Sequence, residues 1–500
     1  MSGPPGAPPR SEADDATRGS AVKLAAEVAS RVLFAAVSFV LLRGLGATEF
    51  GRYTKVSVFA LLVAELGELG LANLASRALV AGTHSLRALV RARLVLAGLV
   101  AAVAALLVPL APALGALASS ALARLSRVDV RPADLPLDGV SLAALVAWLA
   151  LSGWAEFLGV ALRCRGARRH EAQLLVVLRG AALAFALAAL GAGAGLRGVA
   201  LALALSPVPA LVQGAALLRR RPEPRPFADA APAAVLRESA PLGLHGALLL
   251  LSPRVEILVL GAFAPDAEYG LFAAVMLVVW PLSMVPTAVV AGAMPALTRE
   301  ALRGGDAVRR RTAATLAALA APAAVGLALV ASPLVALLLG AGGAAADVAS
   351  ASFLLRVLAL SVPAVFLNAL VAGALVAANR GGWLPWLTAG RVVAAFALAL
   401  ALVPRLGAKG AALGLVLAEW SLLAGGLVVC RLSGYAIRSL APLAWGLAAC
   451  VPMALAVAGV RTSLPLGLAV GALTWAATVA AAWRLAPGVV RRLTGDVRYP

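Results

Sequence analysis

The chain alternates between long apolar runs and short polar connections. Each run is close to 20 residues, about the length that an α-helix needs to cross roughly 30 Å of hydrocarbon. Two glycine-rich stretches, 191–195 and 340–346, leave the helix count open between fourteen and twelve. We predict fourteen transmembrane helices, at residues 22–44, 56–80, 94–118, 140–162, 172–192, 196–218, 239–263, 269–295, 312–338, 350–378, 383–403, 409–431, 437–459 and 465–485.

The composition agrees with this pattern. The 500 residues are 62% hydrophobic and 13% charged, with a mean hydropathy of +0.95, whereas a soluble domain has roughly 45 to 50% apolar and about 25% charged residues. The predicted fold class is therefore all-α, as a polytopic membrane protein.

The basic residues predict the orientation, because loops that stay in the cytoplasm retain Lys and Arg. With the N-terminus inside, and with residues within three positions of a span end counted with the adjacent segment, 28 Lys and Arg residues fall on cytoplasmic segments, 10 on external segments and 5 deeper within spans, which together are the 43 in the chain. We expect both termini in the cytoplasm. The net charge of +20 then reflects topology and attraction to anionic lipid headgroups, and no nucleic-acid partner is predicted, because the Arg clusters lack interleaved aromatic residues.

Short loops exclude several functions. The longest predicted loops, 119–139 outside and 219–238 inside, have about 20 residues each, so neither holds a nucleotide-binding domain, and no phosphate-binding loop motif is present. ATP-driven transport by this chain and membrane-enzyme chemistry are therefore disfavoured, and no catalytic residue is predicted. The scattered cysteines and histidines suggest no disulfide, metal or cofactor.

The two halves of the sequence repeat. Segment 45–53 (Leu-Gly-Ala, then Phe-Gly-Arg-Tyr) corresponds to segment 260–272 (Leu-Gly-Ala, then Tyr-Gly-Leu-Phe), and segment 195–200 to segment 407–412, at offsets of 212 to 219 residues. A six-helix unit is duplicated, and since six is even, both copies have the same membrane orientation. The predicted organisation is a disordered tail (1–20), a six-helix lobe (21–218), a linker (219–238), a second six-helix lobe (239–432), two additional helices (433–485) and a tail (486–500).

Four arginines stand well inside apolar runs: Arg31, Arg254, Arg356 and Arg391. An arginine at the centre of a membrane helix costs about 2.5 to 3.5 kcal/mol on insertion scales, so each needs a partner, water or a function. A guanidinium pairs with phosphate oxygens in a bidentate fork. We predict that these arginines bind an anionic headgroup, with Arg31 roughly 13 Å and Arg254 roughly 22 Å along their helices from the inner side.

Structural alternatives exist for three of the four. Glu27 lies one turn before Arg31 and would neutralise it, while Arg356 and Arg391 lie about a third of the way into their spans and could extend to the interface. For Arg254, the nearest acid in the sequence, Glu256, is about 200° away around the helix, so Glu256 should face a different neighbour.

Five glutamates raise the possibility of ion coupling: Glu27, Glu65, Glu68, Glu256 and Glu419. Glu65 and Glu68 are three residues apart, which would place them on one helix face. Two carboxylates so near each other in a low-dielectric setting should not both ionise, so one would hold a proton. The alternative is an ion pair with Arg31 or another cation.

Several segments resemble a known family. Residues 45–53 and 65–71, with Arg77, are similar to the first hairpin of polysaccharide biosynthesis proteins, the oligosaccharide flippases; segments 254–256, 269–274 and 406–412 are similar to patterns of their second lobe. The resemblance covers about residues 20–435. Glu256 departs from it, since members often carry Asp there, and only some members have the additional helix pair.

This resemblance implies membership of the multidrug/oligosaccharidyl-lipid/polysaccharide exporter superfamily, two six-helix lobes and alternating access. The implied substrate is an undecaprenyl-pyrophosphate-linked oligosaccharide, moved from the inner to the outer leaflet of the bacterial plasma membrane by a monomer that works with a polysaccharide polymerase and glycosyltransferases. Two alternatives stay open: a multidrug exporter coupled to protons or sodium, and a lipid II flippase.

Overall fold

The computed structural model describes residues 10–126, 138–220, 230–340, 343–435, 441–459 and 464–485. Every regular element in these segments is a helix, which confirms the predicted all-α class. The predicted tails and linker fall partly outside them, since residues 1–9, 221–229 and 486–500 are not among the described residues.

Among the described residues, seven α-helices precede residue 221 and thirteen follow residue 229. The first group is α1 (Arg10–Glu65), α2 (Leu71–Ala81), α3 (Leu86–Ser126), α4 (Gly139–Cys164), α5 (Arg168–Gly191), α6 (Gly195–Leu205) and α7 (Val208–Arg219). The second group is α8 (Pro232–Leu251), α9 (Val255–Phe263), α10 (Asp266–Leu282), α11 (Met284–Arg303), α12 (Ala307–Leu329), α13 (Ala331–Leu339), α14 (Ala345–Ala359), α15 (Val362–Ala377), α16 (Leu384–Leu406), α17 (Ala408–Leu432), α18 (Ala441–Ala449), α19 (Val451–Ala458) and α20 (Leu464–Leu485).

Length and hydropathy mark eleven of the described helical segments as able to cross a membrane. Three shorter apolar segments accompany them, at Leu71–Ala81, Leu443–Gly459 and Leu464–Thr478. The chain is thus a polytopic helical membrane protein, as the sequence predicts. The first segment, Ala29–Glu65, contains most of the first predicted span and part of the second. Helix α1 continues through both with a kink at Gly46, whose φ of 77° lies in the left-handed region that glycine tolerates.

Several predicted spans are broken helices. The second is interrupted at Leu66–Gly70, the sixth at 206–207, the seventh by a 3₁₀ turn at Ser252–Arg254, and the tenth at 360–361. Proline explains two of these breaks, since Pro207 and Pro253 have no backbone N–H to donate. A break inside a membrane leaves backbone carbonyls that other protein groups must satisfy.

The described chain separates into two compact units. The first comprises Met1–Leu45, Tyr53–Leu114 and Pro136–Ala247, and the second Gly46–Arg52, Gly115–Leu135 and Leu248–Pro500. In the first, Leu71, Leu89 and Phe157 belong to one buried apolar cluster. In the second, the additional helices pack on α12, where Cys450, Met453 and Val457 bury against Ala321 and Val330.

The duplicated glycine motif makes a close backbone contact within the second unit. A Cβ at Gly51 would lie 2.9 Å from the carbonyl carbon of Asp266 and 3.0 Å from the backbone nitrogen of Gly270. Beside it, the Arg52 guanidinium contacts Asp266 at 2.8 Å and Glu49 at 2.6 Å. Gly51 and Gly270 are corresponding residues of the repeat, so the motif serves close helix contact, a role that requires the missing side chain.

Hydrogen bonds to the Asp138 carboxylate stabilise the start of α4 in the first unit. The Asp138 carboxylate accepts from the Ser141 hydroxyl at 2.7 Å and from Arg197 at 3.0 and 3.1 Å. Partial burial alone would raise the pKa of Asp138, but these hydrogen bonds outweigh it and lower the pKa.

Candidate functional site

The site forms around the broken seventh span. Helix α8 ends at Leu251, a 3₁₀ turn covers Ser252–Arg254, and α9 continues from Val255. Pro253 removes one backbone donor at this point, so the turn leaves carbonyl oxygens without their usual helical partners. Such a break inside a span needs donors from elsewhere in the protein.

Arg391 of α16 supplies those donors. Its Nη1 donates to the Ser252 carbonyl, and to the Ser252 hydroxyl at 3.1 Å. The residue is 4% exposed. The expectation that Arg391 extends to the membrane interface is therefore wrong, because the guanidinium is enclosed by protein and directed at the helix break.

Two carboxylates hold the other side of the guanidinium. Arg391 Nε lies 2.8 Å from Glu419 Oε1 on α17, and Nη2 lies 3.3 Å from Glu256 Oε1 on α9. Asn368 of α15 donates to Glu419 Oε2 at 3.0 Å and to the Glu419 carbonyl at 3.1 Å. We call these five residues, Ser252, Glu256, Asn368, Arg391 and Glu419, the arginine cluster.

The arginine cluster has more acceptors than donors. Glu256 Oε2 and Asn368 Oδ1 are buried and receive no hydrogen bond from the described residues. One guanidinium faces two carboxylates, so with both ionised the formal charge is −1. A buried uncompensated charge and an unpaired buried acceptor are both costly. A proton or a small cation would relieve both, so the cluster has the chemistry of a cation-accepting site.

A proton or a single small cation would bind here without the ligand set of a metal centre. Among the described residues no group of three or more His, Cys, Asp or Glu side chains could hold a metal ion. The cluster presents two carboxylates, an amide and a hydroxyl around a fixed arginine instead.

Arg254 lies beside the arginine cluster, in the same 3₁₀ turn as Ser252. The half-buried side chain donates from Nη1 to the Leu250 carbonyl at 2.7 Å, and the guanidinium lies 5.4 Å from the Trp280 ring centroid. Glu256 pairs with Arg391 instead, as the angular separation along the helix predicts. Arg254 thus presents a guanidinium on an aromatic ring at the same helix break.

Arg356 also lies at a break between helices. Its Nη2 donates to the Ser332 hydroxyl at 3.0 Å, and its Nε donates to the Ala328 carbonyl at 3.4 Å. Those two partners flank the junction of α12 and α13 at Val330. The side chain remains exposed.

In the first unit, Arg31 is exposed on α1 and makes no hydrogen bond or ion pair with the described side chains. The side chain of Glu27, its predicted neutraliser, is outside the described part of the structure. The pairing of these two residues therefore stays a prediction.

Glu65 and Glu68 do not share a continuous helix face. Helix α1 ends at Glu65, and Glu68 lies in the turn Leu66–Gly70 before α2. The expectation of one shared face is wrong because glycines at 67 and 70 allow the chain to turn, with Gly70 at φ 72°. Glu68 instead accepts from the Ala72 backbone at 3.2 Å and pairs with Arg93 at 2.7 Å.

Arg93 is a buried residue in the connection that the sequence predicts between the spans 56–80 and 94–118. It is 3% exposed on α3, and its guanidinium lies 5.3 Å from the Trp154 ring and 4.9 Å from the Phe157 ring. Its position follows from helical spacing, because Leu89 and Leu96, four residues before and three after it, are buried on the same face. The helical spacing of Leu89, Arg93 and Leu96 is the sequence signal that indicates the burial of Arg93.

Comparisons with known proteins bear on the fold. The chain is similar to a lipid II flippase, MurJ, in an inward closed conformation, with a TM-score of 0.74 and 10% identity over 92% of this chain and 98% of that one. The chain and that flippase share a fold. An inward-facing multidrug resistance MATE family transporter of the MOP superfamily matches with a TM-score of 0.61 and 16% identity, covering 81% of this chain and 94% of that one.

A MATE structure in the bent conformation matches with a TM-score of 0.51 and 16% identity, over 83% of this chain and 95% of that one. No protein-family model and no curated protein matches the sequence. These structural likenesses show a shared fold and do not identify a substrate.

Proposed function

We propose that this chain is a membrane transporter that moves a polyprenyl-pyrophosphate-linked oligosaccharide from the inner to the outer leaflet by alternating access. The observation that carries the proposal is the Arg254 guanidinium, half-buried at a broken membrane helix and held on Trp280, in a chain whose fold is similar to that of a lipid II flippase. A pyrophosphate cannot cross hydrocarbon without fixed positive charge and water.

The four predicted headgroup arginines divide by their surroundings. Arg31 is exposed and Arg254 is half-buried, and we assign the pyrophosphate to them, with Arg31 acting from the inner side and Arg254 on the outward swing. Arg356 is exposed but already bonded across a helix junction, which gives it a supporting role. Arg391 is enclosed by two carboxylates and belongs to coupling.

Coupling is assigned to the arginine cluster. Its two carboxylates and one guanidinium have a formal charge of −1, which one positive charge would neutralise. Glu256 Oε2 and Asn368 Oδ1 are acceptors without donors among the described residues. Binding a proton or a sodium ion there would change the charge of α9, α16 and α17 together. A ligand of that kind shifts a conformational equilibrium when its affinity differs between the two states.

Lipid II is the second candidate substrate. The likeness to MurJ covers almost the entire chain, and a lipid II headgroup has the same pyrophosphate that Arg31 and Arg254 would bind. A drug exporter is less favoured, since the guanidinium groups at these breaks would repel organic cations.

Reconstituted vesicles test the proposal. We expect fluorescent lipid-linked oligosaccharide or lipid II to appear in the opposite leaflet with wild-type protein, and at least about a tenfold slower rate with Arg254→Gln, because a charge-assisted phosphate contact contributes roughly 1.5 to 3 kcal/mol. Arg303→Gln is the matched control, an exposed arginine in the last turn of α11. A pH or sodium gradient applied to the same vesicles identifies the coupling ion.

Transport of a cationic dye with no movement of either lipid-linked substrate would contradict the proposal. So would wild-type rates for Arg254→Gln. Comparing the two lipid-linked substrates at equal density decides between oligosaccharide and lipid II.

A further inference from the structure

A small cavity of about 200 Å³ lies at the end of the second unit where α15 turns into α16. Arg380, Trp383, Val429, Leu432 and Ser433 line it. These residues take no part in the arginine cluster, and the transport proposal does not use them. We call this space the Arg380 cavity.

The backbone fixes Arg380 and Trp383 in this position. After α15, Asn379 adopts a left-handed φ of 57°, and the Arg380 N–H donates to the Leu375 carbonyl at 2.7 Å. The Trp383 N–H then donates to the Arg380 carbonyl at 3.2 Å, which closes the 3₁₀ turn before α16. The cavity thus stands on a defined turn rather than on chance surface side chains.

The opposite wall is the last turn of α17. The Ser433 N–H donates to the Val429 carbonyl at 2.9 Å, and the N–H groups of Gly434 and Tyr435 satisfy the next carbonyls. Because these helix-terminal carbonyls are already occupied, they offer little to a cationic ligand. What faces the cavity is the Ser433 residue and apolar side chains.

The polar lining favours an anion. The Arg380 guanidinium is exposed and forms no ion pair or hydrogen bond with any described residue, and the same holds for the Trp383 indole N–H. No carboxylate is among the lining residues. A free guanidinium with an indole donor and a hydroxyl suits phosphate oxygens, which accept hydrogen bonds and pair with arginine.

The apolar lining favours a lipid as the source of that phosphate. Leu432 is 81% exposed and Trp383 47% exposed, and Trp386, one turn along α16, is 73% exposed. Exposed tryptophan and leucine at helix ends are typical of the membrane interface, where an aromatic ring lies at headgroup level. A soluble phosphate would gain nothing from these side chains, whereas acyl chains would cover them.

We propose that the Arg380 cavity binds the headgroup of an anionic phospholipid, with the phosphate on Arg380 and Trp383 and the acyl chains along Leu432 and Trp386. The distribution of basic residues predicts that the turn between α15 and α16 faces the cytoplasm. The Arg380 cavity then lies at the inner leaflet, which is rich in anionic lipid. The site is a lipid-binding site separate from the transported substrate.

Native mass spectrometry of the full-length protein in detergent tests this site. Phosphatidylglycerol is titrated against wild-type protein, Arg380→Gln and Arg303→Gln, with phosphatidylcholine as the neutral lipid. We expect Arg380→Gln to bind phosphatidylglycerol about fivefold more weakly, the ratio that corresponds to roughly 1 kcal/mol per basic residue near an anionic surface. Arg303→Gln should match wild type, and phosphatidylcholine should discriminate little between the proteins.

Further measurements separate the lipid from other sources of phosphate. Trp383→Leu removes the indole donor and should weaken binding with the charge intact, and phosphatidylglycerol should raise the unfolding temperature of wild type more than that of Arg380→Gln. Equal loss in Arg380→Gln and Arg303→Gln would overturn the proposal, as non-specific surface charge. Displacement of the lipid by inorganic phosphate at equal concentration would also overturn it, in favour of a free-phosphate site.

Discussion

At the scale of single residues, arginine side chains and helix breaks satisfy each other. Arg391 donates to the Ser252 carbonyl, Arg254 to the Leu250 carbonyl and Arg356 to the Ala328 carbonyl. A break inside a span leaves carbonyls without helical N–H partners, and an arginine has five donors but is costly to insert. The hydrogen bond between arginine and carbonyl reduces both costs, which explains why arginines recur at these positions.

Removing Arg391 should destabilise the protein strongly. Arg391→Ala leaves the buried Glu256 and Ser252 carbonyl, and the half-buried Glu419, without their shared donor. Breaking a buried ion pair by removing one partner typically costs about 3 to 5 kcal/mol. We expect a clear fall in the thermal unfolding temperature of the detergent-purified protein, at unchanged lipid content.

Glu256→Gln is the matched comparison. It lowers the formal negative charge of the arginine cluster and keeps the shape of the side chain, so its unfolding temperature should stay close to that of wild type. Similar unfolding temperatures for Arg391→Ala and Glu256→Gln would show that the guanidinium does not hold the cluster together.

The sequence predicts individual charges better than their partners. Helical geometry predicts that Glu256 turns away from Arg254, and the structure confirms it. It does not identify Arg391 as the partner, since the two residues are 135 positions apart and only tertiary packing joins them. Arg93 was missed for a related reason, because its carboxylate partner lies in a turn of another span.

At the scale of helices, hydrophobic runs predict where spans lie and say less about where they break. Pro253 marks one break in advance. The break at Leu66–Gly70 has only two glycines as a signal, and glycine is also common at helix–helix contacts. In the structure it is both, since a Cβ at Gly243 of α8 would lie 2.6 Å from the carbonyl carbon of Leu69.

Gly243→Ala should therefore destabilise the first unit. Alanine normally favours a helix over glycine by about 0.5 to 1 kcal/mol, but this methyl group would collide with the Leu69 backbone, and overpacking costs about 1 to 3 kcal/mol. Gly246→Ala in the same helix is the control, because its Cβ would lie 3.8 Å from Glu65 Oε1 in ordinary contact. We expect a lower unfolding temperature for Gly243→Ala only, and equal values would contradict the close contact.

At the scale of the whole molecule, composition and repeats predict more than local motifs do. The apolar content predicts a polytopic helical protein, and the described helices confirm it. The repeated segments at 45–53 and 260–272 are evident from the sequence, whereas the close backbone contact between Gly51 and Gly270 appears only in the structure. A sugar on the proposed substrate would leave no such pattern, since polar contacts from several helices would recognise it.

Orientation in the membrane is the whole-molecule prediction that remains to be measured. The excess of basic residues on alternate loops predicts that the turn after α11 faces the cytoplasm and that the turn between α5 and α6 faces outward. Arg303, the last residue of α11, and Ala192, in the turn between α5 and α6, are exposed. In a variant whose three cysteines are replaced, Ala192→Cys should react with a membrane-impermeant maleimide in intact cells. Arg303→Cys should react only after permeabilisation, and the reverse result would invert the orientation and move the Arg380 cavity to the outer leaflet.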